Sequence, residues 1–573
     1  MAGKRRRAAL NARRVAARRE ADEVSSAAKR GRARRAQDAA DAARAGTDKT
    51  QRPRGPAKGA AREMWYRRSG SGRRLWADYY AKQLAAVLET PAARAVFART
   101  ASDPLPTTFR LRRGLRDAGR AEVTAAVACG ASPIAWADAT LGVFFQAAPG
   151  LDRAALAKGG TAHGDVAAER LAKELPRRAL AAQLCRQEVV SALPVAAMKV
   201  QRGARCLDLC ASPGSKTMQL LEAVGSKGCV FANDADPRRA RQLLDSLARH
   251  GRLGAKEAPR SADCRGRLIV TCHRGEAFPE GDHGHDNVLA DVPCSGDGTS
   301  RKDASVLPRF SPKAANDLHP TQVAIAWRGL QLLKVGGLMA FSTCSLNPIE
   351  DEAVVAALLR HAKGIVSLEE WPEDVLPQFK RRSGLKAWGV SDATDGNDSS
   401  GEAIDGDSSS GDDDGVRLRW HATYAAAKKA GFRSACESMW PPSAAEAASM
   451  HLERCSRVLP ADNDTGGFFV ALLRKTGEID DGERTEESVE LAARGPSGTR
   501  ELGALPEHEE LMPVEMDEGN RVAVLRRKRD DGERFGGNLA LMDYNFWGAS
   551  AKLSVLAAGK GLRSDGEGAY EFV

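Results

Sequence analysis

Gly337-Leu338-Met339-Ala340-Phe341-Ser342-Thr343-Cys344-Ser345-Leu346-Asn347-Pro348-Ile349-Glu350-Asp351-Glu352 changes character half-way along. Gly337 to Phe341 is an apolar run between turn signals, the pattern of a buried strand. From Glu350 to Arg360 the apolar residues recur at helical spacing, with carboxylates in the first turn, where the helix dipole favours them. Cys344 is thereby placed on a strand-to-helix loop, at the carboxyl end of a strand. Ligands of open α/β sheets bind at that edge. A lone cysteine is ordinarily a small buried hydrophobe, so its meaning depends on what surrounds it.

Toward the N-terminus the same alternation repeats. Arg205-Cys206-Leu207-Asp208-Leu209 reads as a strand, Cys210-Ala211-Ser212-Pro213-Gly214-Ser215-Lys216 as a turn, and Thr217 to Val224 as a helix. Cys229 to Ala232 is the next strand. It ends in Asn233-Asp234-Ala235-Asp236, and Pro237 opens a helix as a first-turn proline can. Leu268–Thr271 and Asn287–Ala290 read as two further strands, and Thr321 to Leu333 as the helix leading into the Cys344 strand. Strands alternating with helices predict an α/β fold with a doubly wound, mainly parallel sheet. Gly466 to Leu473 reads as its last strand.

The flanks differ in composition. The chain has 573 residues and a net charge of +11. Residues 1–62 hold 19 Lys+Arg against 6 Asp+Glu, a net +13, which leaves −2 for the other 511 residues. The basicity thus belongs to an Ala/Arg-rich arm with almost nothing apolar to bury, expected to be disordered. Such an arm suits nucleic-acid contact or nuclear import. The localisation expected is the nucleus, or nucleolus, with an organellar transit peptide as the alternative. Residues 63–185 read as an α+β region, with Pro104 to Leu111 as a strand and Arg112, Arg113 and Arg116 close by. Residues 186–475 carry the alternating sheet pattern. They are interrupted by a Ser/Gly/Asp-rich loop insertion at 390–417, after which Arg417 to Arg433 reads as helix. A linker at 476–510 precedes a small β-rich module at 511–573. No run is long and apolar enough to span a membrane. The eleven cysteines are scattered and include no CxxC pair, which points to a reducing compartment and to neither a disulfide framework nor a metal site.

Two further motifs give Cys344 company. The turn Cys210–Lys216 contains a glycine, which lets backbone approach a ligand, and it leads into a helix N-terminus. Asp234 lies twenty residues after Gly214, where an acidic side chain can take the hydroxyls of a ribose. The turn is neither GxGxxG nor a P-loop, so a nucleoside cofactor fits it better than a nucleoside triphosphate. Directly after the fourth strand comes Asp291-Val292-Pro293-Cys294-Ser295-Gly296-Asp297-Gly298-Thr299-Ser300-Arg301-Lys302. Two thiols and a carboxylate therefore share one sheet edge.

These stretches resemble the RsmB/NOP/Sun family of RNA (cytosine-5)-methyltransferases. The resemblance rests on Asp208-Leu209-Cys210-Ala211-Ser212-Pro213-Gly214-Ser215-Lys216-Thr217, on Asp291–Lys302 and on Ser342–Ala353, and extends with gaps over residues 60–475. The Ser295–Thr299 and Arg301-Lys302 portions are most similar to the eukaryotic tRNA-modifying branch. The resemblance implies a Rossmann-like methyltransferase domain, S-adenosylmethionine as methyl donor and tRNA as substrate; a monomer is expected, and with it neither a metal nor a membrane as partner. It implies Cys344 as the nucleophile and Cys294 as the thiol that assists product release. Asp291 would bind the cytosine edge, and Lys216 would lower the thiol pKa from its ordinary value of about 8.5. Cys210, Ala211, Ser212, Pro213, Gly214, Ser215 and Lys216 would cradle the donor together with Asp234 and Asp291. The family carries an acidic residue after the third strand, where this chain has Arg274, with Glu276 two residues on. Trp65, Tyr66, Trp76, Trp136, Trp388 and Trp440 are candidates for base stacking. The alternatives left open are a catalytically quiet RNA-binding or ribosome-assembly factor and a methyltransferase of rRNA or mRNA.

Overall fold

The computed structural model describes residues 71–111, 131–137, 141, 143–147, 184–225, 227–249, 267–279, 284–395 and 416–479, and short strands at 509–515, 521–527, 562–564 and 570–572. The expected basic arm at 1–62, Arg112, Arg113, Arg116, Trp65 and Tyr66 lie outside the described residues.

A helix α1 (Ser71–Gln83) comes first, followed by a small antiparallel sheet. The sheet is built from β1 (Thr108–Leu111), β2 (Ser132–Pro133), β3 (Phe144–Gln146) and β4 (Leu184–Arg186) in the order β2-β3-β1-β4. The main sheet begins with β5 (Arg205–Asp208), α2 (Ser215–Val224), β6 (Cys229–Asn233), α3 (Pro237–Arg249), β7 (Arg267–Thr271) and β8 (His285–Asp291). It continues through α4 (Pro312–Gln331), β9 (Leu333–Thr343), α5 (Glu352–Ala362) and β10 (Val366–Glu369). The order β9-β8-β5-β6-β7 is parallel throughout, and β5 lies between β8 and β6. The chain order therefore reverses between β5 and β8, and such a reversal opens a crevice at the carboxyl ends of the strands. Val230 to Ala232, Val288 to Ala290 and Met339 to Phe341 are essentially inaccessible. Helices on either side of a parallel sheet explain why these strands read as unbroken apolar runs. Each larger side chain so buried contributes about 1.5–3 kcal/mol.

Past β9 the sheet turns antiparallel. After β11 (Arg382–Ser383), β12 (Val390–Asp395) and β13 (Val416–His421) come β14 (Ser456–Val458) and β15 (Phe468–Lys475). β15 pairs with β9, and β14 and β10 pair with β15. The expected last strand is thus present, two residues later than read.

Three expectations are corrected. The helix before the Cys344 strand spans Pro312–Gln331 rather than Thr321 to Leu333. Ser311 caps it and Pro312 occupies its first turn, while Pro320 lies inside it and masked its true start. Leu333 already belongs to β9. The segment read as helix from Arg417 instead forms β13, paired with β12 from Val390↔His421 to Asp395↔Val416, so the insertion begins and ends in a hairpin. Asp392 fixes that register, accepting hydrogen bonds from Arg419 (2.7 and 3.0 Å) and lying 3.0 Å from His421 Nε2. Helix appears only at Tyr424–Lys429. Finally, α5 begins at Glu352, and Glu350, Asp351 and Glu352 are fully buried, spent on side-chain bonds rather than on the helix dipole.

Candidate active site

The crevice is floored by β5 and its following turn. Gly214 has φ +105°, a left-handed backbone that side-chain-bearing residues rarely adopt, and a Cβ there would also press on the Leu243 methyl of α3 at 2.8 Å. The helix α2 starts at Ser215, earlier than the sequence suggested, which puts Lys216 in its first turn. Lys216 Nζ reaches across to Asp291 Oδ2 at 2.7 Å. Asp291 closes β8, and its other oxygen accepts a hydrogen bond of 2.7 Å from Ser342 Oγ of β9. Burial alone would lower the Lys216 pKa, but the charge and hydrogen bond of Asp291, and then Cys344, outweigh it, and the ammonium is held above the ordinary lysine value.

The two sequence-selected thiols meet. Cys294 Sγ and Cys344 Sγ are 3.2 Å apart. The hydrogen bond to Cys344, then burial, then the nearby charges push the Cys294 thiol well up. Cys294 is therefore a thiol that holds its proton strongly, while Cys344 sits on the loop that the Lys216 charge reaches. Gly298 lets the two loops close: its N–H donates to Cys344 O (3.1 Å), its carbonyl accepts from Gly467 N–H (2.8 Å), and a Cβ there would lie 2.7 Å from Cys344 O.

On the other side of the crevice Asp234 follows β6. It accepts hydrogen bonds from Ser212 N–H (3.2 Å), Asp236 N–H (3.1 Å) and Arg239 Nε (3.2 Å). Asp208, at the end of β5, is 1 % exposed. It accepts 2.7 Å from Thr217 Oγ1, while its second oxygen has no partner. Burial raises its pKa to about 7, with the Thr217 hydrogen bond opposing. Arg274 is ion-paired with Glu276, so the cation at the family's usual acidic position is answered within its own loop.

Residues 195–397, which contain both thiol loops and the glycine turn, match the family model described as 16S rRNA methyltransferase RsmB/F. This segment is similar to the RsmB/F methyltransferases. Among curated proteins, the chain is 39 % identical to a multisite-specific tRNA:(cytosine-C(5))-methyltransferase of Schizosaccharomyces pombe, over 54 % of this chain and 45 % of that one. It is 34 % identical to the protein of the same description in Saccharomyces cerevisiae, over 55 % of this chain and 42 % of that one. It is 33 % identical to a tRNA (cytosine(34)-C(5))-methyltransferase of Drosophila melanogaster, over 52 % and 37 % of the two chains. The chain thus spans less than half the length of these curated relatives.

An RsmB/F methyltransferase domain takes S-adenosylmethionine as its methyl donor, and the residues present fit that group. The crevice offers a glycine turn with a following helix N-terminus, a buried acceptor oxygen without a partner on Asp208, and a second carboxylate, Asp234, at the end of the adjacent strand. Arg239 now occupies part of the Asp234 carboxylate. Among the described residues no helix is long and apolar enough to cross a membrane, and no group of three or more His, Cys, Asp or Glu is placed to hold a metal ion.

The matched segment also contains site residues that the sequence reading missed. Glu350, Asp297, Ser345 and Gln322 form a buried polar network under the two thiol loops. The available signal was that a serine follows each cysteine, in Cys294-Ser295 and Cys344-Ser345. Arg301 makes no surface available to phosphate. Its buried guanidinium donates to Asp103 O, Pro104 O, Thr465 O and Asp464. Of the aromatic candidates, Trp76 and Trp388 are core, Trp388 donating to Met439 O at 2.7 Å, and Trp136 packs 4.6 Å from Phe379.

Proposed function

We propose that this protein is an S-adenosylmethionine-dependent RNA (cytosine-5)-methyltransferase acting on tRNA through a covalent cysteine adduct. The observation that carries the reading is the 3.2 Å thiol pair beside the Lys216–Asp291 bridge, at the strand reversal. C5 of cytosine is a poor nucleophile. The Cys344 thiolate adds to C6, forming the S–C6 bond and making C5 enamine-like. The donor supplies an electrophilic methyl group, which C5 takes. The C5 proton then passes to solvent water, its bonding pair re-forms the C5–C6 double bond, and the S–C6 pair leaves with Cys344 sulfur. Cys294, held as a neutral thiol, assists this last release. Asp291, oriented by Lys216 and Ser342, presents its partly exposed carboxylate to the cytosine edge. A DNA enzyme of the same chemistry would use the Pro-Cys thiol as nucleophile and leave Cys344 without a role.

The match to tRNA (cytosine-C5)-methyltransferases supports tRNA over rRNA, and the basic arm at residues 1–62 supports salt-sensitive RNA affinity and a nuclear location. Bisulfite sequencing of tRNA incubated with the protein and donor tests the reading. Methylated cytosines are expected with the native protein and none with Cys344→Ala. Methylation by Cys344→Ala would overturn the assignment of the nucleophile, and no donor binding by the native protein would favour the quiet RNA-binding factor.

A further inference from the structure

Each thiol of the pair is followed by a serine, and both serines bind one carboxyl group. Glu350 Oε1 accepts 2.7 Å from Ser295 N–H, and Glu350 Oε2 accepts from the Ser295 hydroxyl and, at 2.6 Å, from Ser345 Oγ. Gln322 of α4 completes the shell, donating 3.0 Å to Glu350 Oε1 and 2.9 Å to Pro293 O, the residue before Cys294. Three donors (Ser295 N–H, Ser295 Oγ and Gln322 Nε2) and the Ser345 hydroxyl thus surround one carboxyl group. Glu350 itself is 0 % exposed, so it touches neither solvent nor anything that enters the crevice from outside.

The chain of contacts continues. Ser345 Oγ also lies 2.9 Å from Asp297 Oδ1 and accepts 2.9 Å from Asn347 N–H. Asp297 Oδ1 accepts 2.8 Å from Leu346 N–H, and its other oxygen accepts from the Tyr80 hydroxyl of α1. A serine hydroxyl has one proton and can satisfy only one of the two carboxyl groups. The other must itself present a proton. Glu350 and Asp297 therefore share one proton through Ser345, as acid, hydroxyl and carboxylate in line. Burial, and then the Asp297 charge, raises the Glu350 pKa to about 7, which agrees with that count. The other titratable or charged groups facing the pair are Tyr79 and Tyr80 of α1, Arg457 of β14, Asp351 and Cys294.

We propose that Glu350 is the positioning residue that sets the spacing of the two thiols, by tethering Ser295 behind Cys294 and Ser345 behind Cys344. The proposal rests on the functional reading above only for its effect on rate; the spacing itself is a property of the protein alone. Without the tether the segments just behind the two thiols lose their common anchor, and the loops after β8 and β9 are joined only through Asp297 and Gly298, further along the first loop. A misplacement of about 1 Å costs about 10²-fold in rate when two groups must act on one substrate.

Two variants separate tethering from mere packing. Glu350→Met keeps the length of the side chain and removes every hydrogen bond. Glu350→Gln keeps the tether, since its amide can donate to the two hydroxyls while Ser345 turns its proton to an ionised Asp297. The first readout is cross-linking of Cys294 to Cys344 by diamide, followed by mass spectrometry. The S–S bond forms as the azo compound takes both thiol protons and two electrons and becomes the hydrazine. The second readout is single-turnover methyl transfer to tRNA. The expected result is that Glu350→Met slows cross-linking at least about 10-fold and methyl transfer about 100-fold, with KM for tRNA within about threefold. Glu350→Gln should restore both rates to within about threefold of native. Should Glu350→Met prove unfolded by circular dichroism, Ser345→Ala, which removes the Ser345 arm of the tether together with its contacts to Asp297 and Asn347, should still slow cross-linking. Native cross-linking rates in a folded Glu350→Met or Ser345→Ala protein would overturn the proposal. A native protein that cross-links but does not methylate tRNA would instead overturn the functional reading.

Discussion

The two walls of the crevice are built on opposite principles. On the thiol side, the loops after β8 and β9 bond chiefly to each other, and among the described residues Asp351 Oδ2 and Gln322 Oε1 are the buried oxygens there without a hydrogen bond. Ser295, Ser345, Asp297, Glu350, Asp351 and Glu352 all have partners within the protein, and Arg457, 0 % exposed, closes the network against Glu352 and Leu346 O. On the donor side, the turn after β5 and the end of β6 leave bonding capacity open. Asp208 has an acceptor oxygen without a partner, and Asp234 is covered in part by a half-exposed arginine, Arg239. A wall whose groups must attack at a fixed distance gains from rigidity. A wall that must release one molecule and take another gains from groups that are satisfied only when the site is filled. The Lys216–Asp291 bridge is the one ion pair among the described residues that joins the Cys210–Lys216 turn to the end of β8.

Breaking that bridge should have the largest effect. Lys216→Met is expected to lower single-turnover methyl transfer by about 10²–10³-fold, because it removes a fixed charge from the reacting thiol and frees Asp291. Rapid-quench assays at saturating donor would show it. Next, Arg457→Met removes one partner of a buried pair and leaves Glu352 and Asp351 uncompensated. A loss of about 3–5 kcal/mol is expected in urea unfolding, whereas a substitution on the donor wall should cost far less. Asp208→Asn sharpens the contrast through pH. The Asp208 pKa, about 7 and raised first by burial, lies above its unfolded value, so the folded state holds the proton longer. Its contribution to stability is therefore lost as pH rises from about 4 toward 7, and Asp208→Asn should flatten that decline, as followed by urea midpoints at pH 5 and pH 8. The smallest effect is expected from Arg239→Ala. It exposes the Asp234 carboxylate at the cost of one half-exposed ion pair, and donor affinity measured by calorimetry should tighten by no more than about threefold.

The donor wall and the central strands were legible in the sequence because they obey local rules. Val230 to Ala232 and Val288 to Ala290 are short apolar runs, and Gly214 marks a turn before a helix. Cys294 and Cys344 were legible as a pair because both fall on loops at the same sheet edge. The thiol wall's support was not legible. Glu350 reads locally as a first-turn carboxylate, and only the closure of two loops separated by 55 residues reveals Ser295 as its partner. Nor did the sequence disclose that Arg301 is a buried staple, since its carbonyl partners come from Asp103, Pro104 and Thr465. The β12–β13 hairpin was missed for a different reason. Arg417 and Arg419 alternate with Leu418 and Trp420, a period of two that the basic, helix-compatible stretch beyond it obscured.

The most direct test of the two-thiol mechanism is to identify the residue trapped on RNA. Cys294→Ala protein would be incubated with tRNA and S-adenosylmethionine, denatured and digested, and the RNA-linked peptide sequenced by mass spectrometry. Adduct should accumulate in place of free product, with the nucleotide on Cys344 in the peptide containing Ser342-Thr343-Cys344-Ser345. Normal turnover without adduct, or a nucleotide carried by any other residue, would contradict it.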